Sequence, residues 1–194
     1  MKQIELFFWG IVAAVGALFA EIIFSFISTI FENPQNFLSF QFATSSVLIV
    51  IVFVLIEEIF KYLIITKKVE PFSLEYSFFF NALLVGFGFA LMEIALTIFQ
   101  NKELLNDPFS LLQLGIVHMT TAGIMGYIAA IRKPHKFTTF FSSIFWASLV
   151  HLSYNLLKLN LNKFSYQDQI VAFLLLVMIF INIANLIRLP KKPH

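Results

Sequence analysis

Apolar residues run through this chain in long blocks, and the breaks between them are short, charged and rich in turn formers. A helix needs roughly 20 apolar residues to cross a bilayer. Six blocks qualify, at about 4–31, 42–65, 76–99, 109–131, 137–158 and 168–189. The breaks are Glu32-Asn33-Pro34-Gln35-Asn36, Lys67-Lys68-Val69-Glu70-Pro71, Asn101 to Pro108, Arg132-Lys133-Pro134-His135-Lys136 and Asn160-Leu161-Asn162-Lys163. Turn residues there end helices for backbone reasons. The pattern predicts an all-α fold, a polytopic transmembrane helical bundle of about six spans. Residues 1–194 are expected to form a single integral membrane domain. Lys2 and the apolar run containing Ala17-Leu18-Phe19-Ala20 have the outline of a secretory signal. Leu18 is a poor residue for the −3 position, and the run continues past Glu21 to Phe31, so an uncleaved first span is expected.

Composition agrees. The chain is 59% hydrophobic and 12% charged, with a mean hydropathy of +0.87, against roughly 25% charged residues in a soluble domain. The absence of cysteine excludes disulfides, thiolate metal sites and a cysteine nucleophile. A net charge of +2 gives no footing for nucleic acid. With the N-terminus in the cytoplasm, nine Lys and Arg residues fall on that side (Lys2, Lys67, Lys68, Arg132, Lys133, Lys136, Arg188, Lys191, Lys192) and three on the other (Lys102, Lys158, Lys163). That bias predicts both termini in the cytoplasm.

The second block is broken internally by Glu57-Glu58-Ile59-Phe60-Lys61. Each charge at the centre of a membrane helix costs roughly 2.5–3.5 kcal/mol, so three would cost about 8–10 kcal/mol unpaired. Lys61 lies three residues from Glu58 and four from Glu57, within reach of either on a helix. Such a group marks an intramembrane site facing the bundle interior or a water pocket.

Other spans supply partners. Gly86, Glu93, Thr97 and Gln100 share one face of the third, where Gly86 and Gly88 permit close helix approach. The fourth carries a stripe of Gly115, His118, Ala122 and Gly126, expected to pack tightly with His118 projecting from it. His151 and Asn155 lie one turn apart on the fifth, with Ser148 on the same face. Asn182 and Asn185 of the sixth are expected to bond between helices. Glu21 of the first has no histidine or second acid within two turns on its own face. It reads as an acid near the outer interface or bonded to a neighbouring helix. At 1.5 Å per residue, Glu57 lies roughly 14 Å from the cytoplasmic end of its span and the histidines roughly 20 Å, with Glu93 comparable or somewhat deeper. The core site is expected on spans two to five, residues 42–158.

In order, Glu57-Glu58-x-x-Lys61, Phe89-x-x-x-Glu93, His118 and His151-x-x-x-Asn155 resemble the motifs of the PrsW intramembrane proteases, one motif per helix. That family belongs with the CAAX-type prenyl endopeptidases and the bacteriocin-processing or self-immunity proteins. Lys61 and Glu93 resemble the PrsW branch, whereas CAAX endopeptidases have Glu-Glu-x-x-x-Arg and a histidine where this chain has Glu93. Asn155 resembles the CAAX branch, since many PrsW members have aspartate there. The resemblance implies an integral protein of a bacterial or archaeal cytoplasmic membrane. Its substrate would be a membrane protein or a lipidated peptide, in the PrsW case a single-span protein such as an anti-sigma factor.

Amide hydrolysis needs an activated water, oxyanion stabilisation and a proton for the leaving amine. Without cysteine, and without a serine beside a base, a carboxylate must activate the water, alone or on a metal. The expected catalytic residues are Glu57, Glu58, Glu93, His118, His151 and Asn155. Glu57 would be base or ligand, Glu93 would complete the water site, and Glu58 would pair with Lys61 to hold the helix face. His118 would be a second ligand or acid. His151 and Asn155 would donate to the oxyanion or complete the metal site. A catalytic zinc takes three His, Asp or Glu ligands plus water. Glu57, Glu93, His118 and His151 are the candidate ligands for Zn2+ or another divalent cation, which would relieve repulsion among the acids. Two other classes compete. Intramembrane Glu and His chains also build proton- or metal-ion-coupled transporters, though no repeat halves are visible. A non-catalytic scaffold or immunity protein would keep the motifs as a structural network.

Overall fold

All six apolar blocks are α-helical in the computed structural model, which describes residues 2–32, 47–69, 75–132, 136–160 and 166–189. The helices are α1 (Lys2–Glu32), α2 (Val47–Ile64), α3 (Glu75–Gln100), α4 (Pro108–Ile131), α5 (Phe137–Asn160) and α6 (Gln167–Arg188). There is no strand among the described residues. The breaks expected at 33–36, 70–71, 133–135 and 161–163, residues 42–46 of the second expected span, and Lys191 and Lys192 lie outside the described residues.

Five helices, all but α2, are long and apolar enough to cross a membrane. The described part of α2 has 18 residues and carries three charged side chains, Glu57, Glu58 and Lys61. Its last turn widens into a π-helical segment, Ile65–Val69, where the Thr66 hydroxyl donates back to the Tyr62 carbonyl at 2.9 Å. α4 opens on a capped end. Asp107 accepts from the Ser110 amide at 3.1 Å and the Ser110 hydroxyl at 2.5 Å, and Pro108 takes the first-turn place where no N–H is needed. Those Ser110 donors hold the exposed Asp107 carboxyl below its ordinary range.

The helices do not pack in chain order. α3 lies between α1 and α4, α4 against α5, α5 against α2, and α2 back against α1, so five helices close a ring. α6 packs outside it, on α4. The most enclosed helix is α4, with 61% of its apolar window buried against 17% for α6, which makes α4 the hub. Lipid tails give helices no hydrophobic reason to associate, so close backbone contact must do it. Glycine provides that contact. A methyl group on Gly88 would strike the Phe7 carbonyl oxygen, and one on Gly10 the Val85 carbonyl oxygen, which fixes the α1–α3 crossing. One on Gly86 would lie 2.6 Å from Ala122 Cβ and 2.7 Å from the His118 carbonyl oxygen, so this glycine lets the His118 turn of α4 settle on α3. The α4 stripe is tight at Ala122 and Gly126 but not at Gly115, where an added methyl meets nothing within 4 Å. Asn182 behaves as the sequence suggests, its amide donating to the Thr120 hydroxyl at 3.1 Å.

Gly88→Val is therefore expected to destabilise the bundle by roughly 1–3 kcal/mol through overpacking against backbone. Gly115→Ala is expected to hold or gain stability, since Ala is about 1 kcal/mol the better helix former. Thermal denaturation of both variants in one detergent checks the contrast.

Candidate active site

The ring brings together side chains that are far apart in sequence. Glu58 and Lys61, one turn apart on α2, are wholly buried and paired at 2.5 Å. Lys61 Nζ also donates to Thr121 Oγ1 at 2.8 Å and to His118 Nδ1 at 3.1 Å, both on α4. An ammonium has three protons and no acceptor, so all its donors are used. The Thr121 hydroxyl, accepting from Lys61, passes its own proton to the His118 carbonyl at 3.2 Å. The Phe89 ring of α3 closes the lysine pocket, 4.8 Å from Nζ and 5.0 Å from the His118 ring.

These contacts decide both imidazole tautomers. His118 Nδ1 faces a pure donor, so it is the bare nitrogen and Nε2 carries the proton, directed at Glu93 Oε2 on α3. On α5, His151 Nδ1 lies 2.6 Å from Glu58 Oε1 and donates to it, which leaves His151 Nε2 with its lone pair free. The two rings meet edge to face at 4.9 Å. Glu57 Oε2 is 3.7 Å from His151 Nδ1 and has no hydrogen-bond partner, and Glu58 Oε2 is likewise buried and unpartnered. One donor atom from each of Glu57, Glu58, His118 and His151 falls within a group no wider than 4.8 Å.

A cavity of about 480 Å³ opens from this cluster between α1, α2 and α3. Glu57 and Glu93 line its inner part, and Thr97 and Gln100 continue the α3 face toward the helix end, roughly 10 Å farther along. Glu21 of α1 lines it too. Glu21 thereby joins Glu57 of α2 and Glu93 of α3 as the acids that line this cavity. Glu57, Glu58, Lys61, Glu93, His118 and His151 come together. Asn155, half-buried one turn beyond His151, forms no side-chain hydrogen bond with another described residue. Its helix is instead tied to α4 by Tyr154, whose hydroxyl donates to Gln113 at 3.0 Å. Sequence reasoning missed Thr121, although it lies three residues from His118 on the same stripe. It passed over Glu21 because the polar neighbours that matter are on other helices.

Residues 3–183 match the family model of the PrsW family intramembrane metalloproteases. The chain belongs to that family. No significant match to a curated protein or a solved structure accompanies it. Membership in the PrsW family makes the chain an integral membrane protein and an intramembrane protease, whose substrates are membrane proteins or peptides in a lipid bilayer. It lends nothing to the transporter reading. The donor set fits a divalent metal, in keeping with a metalloprotease family. Carboxylate and imidazole suit zinc, and the Oε2 atoms of Glu57 and Glu58 are buried without a hydrogen-bond partner.

Lys61→Met removes the only cation among the buried polar groups facing Glu58. It is expected to cost roughly 3–5 kcal/mol, since the lost partner leaves a buried charge uncompensated. The double variant Lys61→Met/Glu58→Gln is expected to recover part of that loss. A double-mutant cycle on thermal unfolding in detergent reads the coupling.

Proposed function

We propose that the chain hydrolyses a peptide bond within a single-span membrane protein, using a water activated by Glu57 at the head of the α1–α2–α3 cavity. The observation that carries this reading is Glu57 itself. Its free oxygen Oε2 is buried beside His151, and the same side chain lines the cavity by which a peptide reaches the cluster.

With Glu57 as the base, Glu93, His118 and His151 would hold a divalent cation, and Zn2+ suits them best. When bound, the cation supplies Lewis acidity, drawing the pKa of water toward neutrality and polarising the scissile carbonyl. His151 presents Nε2 because Glu58 holds its Nδ1 proton, the carboxylate–histidine arrangement that fixes a ligand ring. His118 joins as a ligand through Nε2 only by giving up its contact to Glu93. With that contact kept, it orients Glu93 instead. Glu57 Oε2 accepts the water proton and returns it to the departing amine. Asn155, one turn beyond His151 on α5, would donate to the developing oxyanion. Lys61 and Thr121 touch no substrate in this scheme. They hold Glu58 and His118, and through them the two rings.

Glu57→Gln keeps the shape and removes the base. Cleavage of a single-span reporter in proteoliposomes is expected to fall roughly 10²–10⁴-fold while the bundle stays folded. Chelation of the wild type is expected to stop cleavage, and zinc to restore it. Unchanged cleavage by Glu57→Gln would remove the reading, and full activity in metal-stripped protein would reduce Glu57 to a metal-free base.

The orientation proposed is the one the charge bias supports, with the Lys68 end of the bundle in the cytoplasm. The chain has no cysteine to interfere with labelling. In right-side-out vesicles a membrane-impermeant thiol reagent is expected to reach Glu103→Cys and not Lys68→Cys. The reverse pattern inverts the topology.

A further inference from the structure

Both α5 and α6 pack on α4, yet they scarcely touch each other. Their mutual contact is at one end, where Tyr154, Val171 and Leu175 share a core cluster with Val117 of α4. Toward the other end they diverge and leave a groove of about 350 Å³ between them over α4. The groove is graded. Its floor is apolar, from Ile124, Ile128, Val150 and Ile181. Its mouth carries Arg132 at the end of α4 and Arg188 at the end of α6, with Ser142 and Asn185 beside them. Trp146 flanks the passage between the two zones, half-exposed.

The charge at this mouth is unbalanced. Neither arginine pairs with an acid among the described residues, and between residues 108 and 194 the only acid is Asp168, at the opposite end of α6. An arginine at a helix end also offsets the partial charge of the last carbonyls. That role needs neither a groove nor a hydroxyl and an amide turned toward it. Two guanidinium forks above an apolar channel complement a phosphate carried on an acyl chain, and a soluble phosphate would leave the channel unused.

We propose that this groove is a binding site for an anionic phospholipid, with its phosphate between Arg132 and Arg188 and an acyl chain along the α4 floor. The site is separate from the glutamate–histidine cluster and holds whether or not the chain cleaves protein. The test is native mass spectrometry of the purified full chain, offered phosphatidylglycerol and phosphatidylcholine in equal amounts. Phosphatidylglycerol is expected to be retained in preference. Arg132→Gln/Arg188→Gln should lower that preference roughly 30-fold, from the usual contribution of two basic residues at a lipid surface. Arg132→Lys/Arg188→Lys should keep most of it. Equal retention of the two lipids by the wild type overturns the proposal, as does a preference that survives the Gln pair. Displacement of phosphatidylglycerol by millimolar inorganic phosphate overturns it too, marking a free-anion site. Should the Gln pair fail to fold, the wild-type competition decides alone.

Discussion

A lysine ammonium with no exposure to solvent organises this protein. Burying an ion costs several kcal/mol even after the surroundings relax, and Lys61 offsets that only because Glu58, Thr121 and His118 take all three of its protons. The first acceptor lies on its own helix and the other two on α4, so α2 and α4, which otherwise touch little, are fastened across the ring. The same cation sets the chemistry of both histidines. By donating to His118 Nδ1 it puts the His118 proton on the side of Glu93. By holding Glu58 ionised and in place, it gives His151 an acceptor for Nδ1–H and frees Nε2. One charge, correctly surrounded, fixes two tautomers on two helices.

The ring gives that arrangement its shape. α1 and α3 touch backbone to backbone at Gly10 and Gly88, and the nearby alanines Ala13, Ala14 and Ala17 continue the seam against Phe89. Past that seam the helices make room for the cavity that ends at Glu57 and Glu93. A tight crossing and an open cleft on the same helix pair are complementary. The glycines hold the walls so that a polar cleft can exist inside an apolar bundle. Gly86 works in the same way one helix over, setting the depth at which His118 meets Glu93.

Much of this was legible in the sequence. The six helices followed from block length, and the family from four ordered motifs. The Glu58–Lys61 pair followed from a spacing of three residues on a helix, a local relation that sequence expresses directly. What was not legible depends on which helix lies beside which. The order α1–α3–α4–α5–α2 cannot be read from hydropathy. So Glu21, with no histidine or second acid within two turns on its own face, looked peripheral until α1 was placed against α3. Thr121 had a visible signal in its place beside His118, but threonine is common in spans, and only the buried lysine opposite gives it a task. Gly115 failed for the opposite reason. A stripe of small residues was read as uniformly packed, although α3 covers only part of its length.

The centre of the proposal is that imidazole and carboxylate from different helices of the ring share one divalent cation. Zinc-edge X-ray absorption on the purified, active protein reads that shell directly. The expected spectrum has nitrogen and oxygen neighbours at about 2.0–2.2 Å, with the outer-shell scattering of imidazole weakened when His151 becomes Ala. A preparation that cleaves its substrate at full rate while its spectrum lacks imidazole scattering, or while it carries no metal, contradicts the proposal.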